Sequence, residues 1–146
     1  MLAVDLDGFK VINDTHGHDA GDLVLQVIAS RLKNVGAGRA KPFRTGGDEF
    51  LIVYSSKDAR AEIQAFGNQC IAVINRPIAF RGTLLSVGAS VGVAFIDDHV
   101  DFRESISRAD SALYAAKREG KGVVRLFDQR QSPVGQPGFK PVVVNA

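Results

Sequence analysis

Arg39-Ala40-Lys41-Pro42-Phe43-Arg44-Thr45-Gly46-Gly47-Asp48-Glu49-Phe50-Leu51-Ile52-Val53-Tyr54 is the stretch on which the fold turns. Two extended runs, residues 39–45 and 50–54, flank a Gly-Gly pair. Glycine reaches positive φ without the Cβ penalty, so this spacing predicts a β-hairpin with Asp48 and Glu49 at its tip. Working outward, the apolar run Met1-Leu2-Ala3-Val4 ends in Asp5-Leu6-Asp7-Gly8, a buried strand that carries two acids to a polar rim. From Asp19, the residues Ala20, Leu23, Val24, Val27, Ile28 and Leu32 fall at helical spacing up to a stop at Gly36. The Gly-rich segment between, with His16 and His18, reads as a loop.

On the other side of the hairpin, residues 57–74 place Ala61, Ile63, Phe66, Cys70, Ile71 and Ile74 on one helical face, weakened by Gly67 and closed by Pro77. Residues 84–96, rich in Val and Ile, read as one long central strand after a turn at Arg81-Gly82. Asp101 and Glu104 make a capping-box start for a helix facing the core through Phe102, Ile106, Ala109, Leu113 and Ala116. Lys117 and Arg118 suit its C-terminal dipole, and Gly120 ends it. Residues 123–127 read as a last strand. The expected fold class is α/β or α+β, a mixed sheet covered by helices with one hairpin inside it. One domain over residues 1–128 is expected, followed by a flexible tail at 129–146 punctuated by Pro133, Gly135, Pro137, Gly138 and Pro141.

With 146 residues and 45% hydrophobic content, the chain can fill one core. A formal charge of +2 is too small for a nucleic-acid surface, though a small anionic ligand fits. Cys70 is the single cysteine, which excludes a disulfide framework and a thiolate zinc cluster and reads as core. No apolar run approaches the roughly 18 residues of a membrane span, and no signal-peptide pattern opens the chain. A cytoplasmic location is expected, with a membrane anchor elsewhere in a longer parent left open.

The chemistry points to acids and lysines. Asp5 and Asp7, two apart on a strand, share a face, a geometry that suits a hard cation held beside phosphate, and Asp48 and Glu49 add oxygen ligands. Read alone, each acidic pair is equally a solvated strand end or a charged hairpin tip. Lys10, Lys117 and Lys121 are candidate phosphate partners or, for the last two, helix-dipole partners in solvent. Asn13 and Asp22 can read a guanine edge, or serve as a turn residue and a helix-start charge. His16 and His18 lack nearby cysteines, so a substrate contact or a solvated loop is favoured over zinc, and His99 reads as surface.

These residues together resemble the GGDEF domain of diguanylate cyclases. The hairpin spells Gly46-Gly47-Asp48-Glu49-Phe50. The segment from Asp5 to Asp22 carries each fixed letter of the family's D-x-D-x-F-K-x-I-N-D-x-x-G-H-x-x-G-D pattern, and Ser90-Val91-Gly92-Val93-Ala94 and Ala109-Asp110-Ser111-Ala112-Leu113-Tyr114-Ala115-Ala116-Lys117 match S-x-G-V-A and A-D-x-A-L-Y-x-A-K. The motifs occur in family order over about residues 1–127.

The resemblance implies a palm-like, mostly antiparallel sheet related to nucleotidyl cyclases, and condensation of two GTP into cyclic di-GMP and two pyrophosphates. It implies that Asp5, the Leu6 carbonyl, Asp48 and Glu49 hold Mg²⁺, or Mn²⁺ in its place, with Asp48 and Glu49 catalytic. Asn13 and Asp22 would bind guanine, with His18 close by. Phe9, Lys10, Lys117 and Lys121 would contact the triphosphate, and Gly46 and Gly47 would let the backbone approach GTP. Lys121 stands where many members carry Arg, which keeps charge but loses the bidentate fork. Each domain resembles a half-site, so a homodimer is implied, driven by a sensor domain in the parent.

Three departures accompany the resemblance. The family's D-x-L-T-x-L-x-N-R helix before the first strand is absent from this sequence, which leaves the activity of the chain as given open. Ala37-Gly38-Arg39-Ala40 stands where many members carry the R-x-x-D product-inhibition site, so no feedback inhibition is expected there. No sensor or phosphodiesterase segment lies within the chain. The rival to an enzyme is a catalytically silent module that binds GTP or cyclic di-GMP.

Overall fold

Alternation along β1 (Leu2–Asp7) sends Leu2, Val4 and Leu6 into the main core, while Ala3 packs with Ala94, Ala109 and Leu113 on the opposite face of the sheet. A computed structural model describes residues 1–36, 38–55, 59–96 and 99–128, and the expected tail at 129–146 lies outside the described residues. After β1 come α1 (Phe9–His16), α2 (His18–Val35), β2 (Ala40–Gly46), β3 (Glu49–Tyr54) and α3 (Ala59–Ile74). β4 (Ile78–Phe80), β5 (Thr83–Leu85), β6 (Gly88–Val93), α4 (Phe102–Arg118) and β7 (Val124–Leu126) complete the order.

The main sheet runs β2-β3-β1-β6-β7, antiparallel throughout except for the β6/β7 pair, which α4 joins as a crossover. β4 and β5 form a separate hairpin. α2 and α3 pack through Val24, Ile28, Leu32, Phe66, Cys70 and Ile74 on one face, and α4 covers the other. The mixed, mostly antiparallel sheet flanked by helices is the architecture expected from the sequence.

Glycines set how closely the layers approach. A Cβ on Gly92 would lie 2.1 Å from the Ala109 carbonyl oxygen and 2.1 Å from the Leu113 nitrogen, so the backbone of α4 rests directly on β6. Gly67, which weakens the helical pattern, is used by the packing: a Cβ there would meet both Val124 methyls at 3.0 Å, and α3 sits tightly over β7. Cys70 is fully buried, and burial pushes its thiol up to about 12, as fits a core residue.

Several expectations need correction. The segment read as a loop before His18 is α1, and Gly17 (φ +85°) separates it from α2, so Asn13 is helical and His16 and His18 end one helix and begin the next. Only Phe9 and Ile12 of α1 are buried, too short an apolar stripe to register as a helical period. The single strand expected over 84–96 is two: β5 pairs with β4 across a turn with positive φ at Arg81 and Gly82, and β6 begins only at Gly88. On α4, Phe102 is 53% exposed, and Ser105 takes the buried place expected of it. Asp101 does cap the helix, accepting from the N–H groups of Arg103 and Glu104, but Glu104 pairs with Arg108 at 2.6 Å.

Candidate active site

The hairpin tip is tighter than its sequence suggests. Gly46 pairs with Glu49, so the turn consists of Gly47 (φ +47°) and Asp48, and Glu49 is the first residue of β3. The Asp48 carbonyl accepts a hydrogen bond from the Leu6 N–H at 3.2 Å, tying the turn to the end of β1. In register, Asp5 lies between Glu49 on one neighbouring strand and Ser90 on the other. The sheet therefore brings Asp5, Leu6, Asp48 and Glu49 to one rim, as the motifs predict.

Asp5 is 8% exposed, and its Oδ2 lies 2.7 Å from the ammonium of Lys117 in the last turn of α4. Burial pushes the Asp5 carboxyl up, its bond to Lys117 pulls it back, and the charges of Asp48 and Asp7 raise it again. Burial likewise raises Glu49, followed by the charges of Asp5 and Asp48. About two turns N-terminal to Lys117 on α4, Asp110 is pushed to about 6, first by burial and then by Glu49. The sequence motif contains Asp110 but gives no hint of its tie to this cluster, which exists only once α4 lies across the sheet.

The second group is helical. A Cβ on Gly21 would fall 1.9 Å from Asn13 Oδ1 and 3.2 Å from Phe9 Cζ, so this bare position lets α1 lie against α2. Asn13 thus sits against the turn of α2 that carries Asp22, and His18 opens that helix. His18, Asp22 and Lys10 are exposed, whereas Phe9 is 8% exposed and belongs to the core. The two groups are joined by backbone: β1 turns at Gly8 (φ +84°) straight into α1. Lys121 lies in the loop after α4 with φ +66°, its N–H bonded to the Ala116 carbonyl at 3.1 Å.

Among the described residues, no three His, Cys, Asp or Glu side chains converge to hold a metal by themselves. The donor set at the rim is nonetheless all oxygen and electrostatically strained. Burial first and then the neighbouring acids raise Asp5 and Glu49, and a cationic group, Lys117, already stands against Asp5. Oxygen donors of this kind fit a hard cation.

A mostly antiparallel sheet with acids on the rim beside a glycine turn defines the palm-type nucleotidyl cyclase class. The chain belongs to the GGDEF family: residues 1–122 match the family described as diguanylate cyclase, GGDEF domain. It is 35% identical over 127 residues to diguanylate cyclase A of Treponema denticola, covering 86% of this chain and 34% of that protein. It is 34% identical over 128 residues to diguanylate cyclase DosC of Escherichia coli K12, covering 87% and 28%. The chain thus spans about a third or less of the length of these relatives.

The GGDEF domain of PA1120 (YfiN or TpbB) from Pseudomonas aeruginosa superposes with a TM-score of 0.80 at 35% identity, covering 87% of this chain and 80% of that one. The GGDEF domain of DgcB from Caulobacter crescentus, solved in complex with c-di-GMP, does so with a TM-score of 0.74 at 30% identity, covering 86% and 75%. Among the described residues, no helix is long and apolar enough to cross a membrane.

Proposed function

We propose that this chain is the catalytic domain of a diguanylate cyclase, converting two GTP into cyclic di-GMP and two pyrophosphates. The observation that carries the reading is the meeting of Asp5, Asp48 and Glu49 with Lys117 at a rim beside the Gly46-Gly47 turn. Asp5, the Leu6 carbonyl and Asp48, with Glu49 alongside, are the groups that would hold Mg²⁺ or Mn²⁺. When bound, that cation polarises the α-phosphoryl oxygens and offsets charge on the leaving pyrophosphate.

The chain's own residues bind and orient. Asn13 and Asp22 hydrogen-bond the guanine edge, an amide that donates and accepts beside a carboxylate that accepts from two N–H groups. His18 lines the same rim. Lys10, Lys117 and Lys121 neutralise the triphosphate, and Phe9 holds the first of them on the core. Gly46 and Gly47 keep the approach to the turn free of side chains other than that of Asp48. Asp48 takes the 3′-hydroxyl proton and Glu49 sustains the charge beside it.

One domain has one guanine rim and one carboxylate rim, so each GTP attacks the α-phosphate held by a second copy, and turnover requires a homodimer. In the longer relatives the rest of the chain leaves room for a sensor domain that controls this association. Domain boundaries at 1–128, with a tail beyond, go with this reading.

The test is formation of cyclic di-GMP and pyrophosphate from GTP with Mg²⁺, by the chain and by Asp48→Ala. Product lost in Asp48→Ala supports the cyclase. GTP binding without product, in a version that also carries the family's preceding helix, would leave the silent binding module as the better reading.

A further inference from the structure

Asp7 is the acid left over from the site above. Its Oδ2 accepts from the Ser90 hydroxyl at 2.7 Å and from the Gly122 N–H at 3.4 Å, and the same N–H lies 3.2 Å from Ser90 Oγ. Ser90 is fully buried in the middle of the sheet. Asp7 Oδ1 is also buried and finds no partner among the described residues. A carboxylate held with half its acceptors unused is costly, so its position calls for a role.

What it grips is the loop between α4 and β7. Gly120, Lys121 and Gly122 all have positive φ (+111°, +66° and +66°), and Lys121 is the one residue of the three with a side chain. At the near end of the loop, the Gly120 N–H bonds the Lys117 carbonyl at 3.4 Å and the Lys121 N–H bonds the Ala116 carbonyl at 3.1 Å. At the far end, the clip on Gly122 fixes it to β1 and β6. A left-handed lysine is disfavoured and persists only when its neighbours hold it there.

We infer that Asp7 and Ser90 are positioning residues that, through Gly122, aim the Lys121 ammonium at the triphosphate of bound GTP. The inference rests on Lys121 being a phosphate partner, and it assigns a role to two residues that neither the metal rim nor the guanine rim uses. It also gives Asp7 a different task from Asp5, its neighbour on the same strand face.

The experiment is a double-mutant cycle on the full chain, reading Mg²⁺-GTP affinity by calorimetry, kcat and KM separately, and the melting curve of each variant. Ser90→Ala should weaken GTP binding about five-fold, the worth of one hydrogen bond, with kcat nearly unchanged. Lys121→Ala should weaken it by about ten-fold or less. The double variant should bind no worse than Lys121→Ala alone. Should Ser90→Ala fail to fold, the same cycle with Asp7→Ala decides, and Asp7→Asn, which keeps an acceptor oxygen, should restore most of the affinity.

A loss from Ser90→Ala or Asp7→Ala that persists undiminished in the Lys121→Ala background would overturn the inference while leaving Lys121 as a phosphate partner. No effect of Lys121→Ala by itself would overturn both.

Discussion

The two rims of the candidate site are built on opposite terms. The carboxylate rim is carried by paired strands and a helix lying on them. Asp5 is nearly buried, burial and the nearby acids raise its carboxyl, and Lys117 is drawn in against it. The guanine rim is carried by two helices meeting at Gly17, with His18 and Asp22 exposed and Asn13 seated by the absence of a side chain at Gly21. In the proposed reaction, the sheet would supply concentrated charge for a step that moves charge, and the helices a hydrogen-bonding pattern for a base that does not react.

Substitutions should separate the two rims. The largest effect is expected at Asp48: Asp48→Ala should lower cyclic di-GMP formation by about 100-fold or more, leaving the melting temperature within a few degrees. Product assays alongside thermal melts check this. Gly92→Ala strikes the carboxylate rim through its support, because the new methyl would overlap α4 backbone that cannot give way. It should cost about 2–4 kcal/mol in denaturant unfolding, with activity falling alongside the fold.

At the guanine rim, Asp22→Ala should reduce the preference for GTP over ATP by about 10-fold, measured as relative affinity in Mg²⁺. Gly21→Ala should do the same indirectly by displacing the end of the Asn13 side chain. Loss of triphosphate binding without loss of base preference in these variants would break the comparison.

The smallest effect is a matter of pH. Folding raises Asp110 from 3.8 to about 6, so folding favours its protonated form. Its stabilising contribution is full below about 3.8 and gone above about 6. Asp110→Asn should therefore stabilise the cation-free protein near neutral pH, by about 1 kcal/mol once solvent screening of this half-exposed group is allowed for. The advantage should shrink as pH falls from about 6 to about 4, as melts across that range would show.

Much of the carboxylate rim can be read from sequence because strands report their faces directly. Asp5 and the Gly46-Gly47 turn fix which atoms meet once β1 and β3 pair, although the hairpin itself joins β3 only to β2 and leaves that long-range pairing to the fold. The partners contributed by α4 are not readable in this way. Lys117 and Asp110 reach the rim only because Gly92 lets a helix lie on the sheet, a contact between residues far apart in the chain. The guanine rim is harder still. α1 buries just Phe9 and Ile12, so its period is lost among polar residues, and nothing in the spacing marks Gly21 as the seat of Asn13. The clip of Asp7, Ser90 and Gly122 joins two motifs and a loop beyond the last motif, and their spacing carries no trace of one another.

The most direct measurement is the initial rate of cyclic di-GMP formation per molecule of protein, followed over about a 100-fold range of protein concentration at saturating Mg²⁺-GTP. Two half-sites that must face each other require the rate per molecule to climb with concentration and then level off as the dimer fills. A rate per molecule that stays constant from the most dilute sample upward, in protein shown to be monomeric there, would contradict the half-site account.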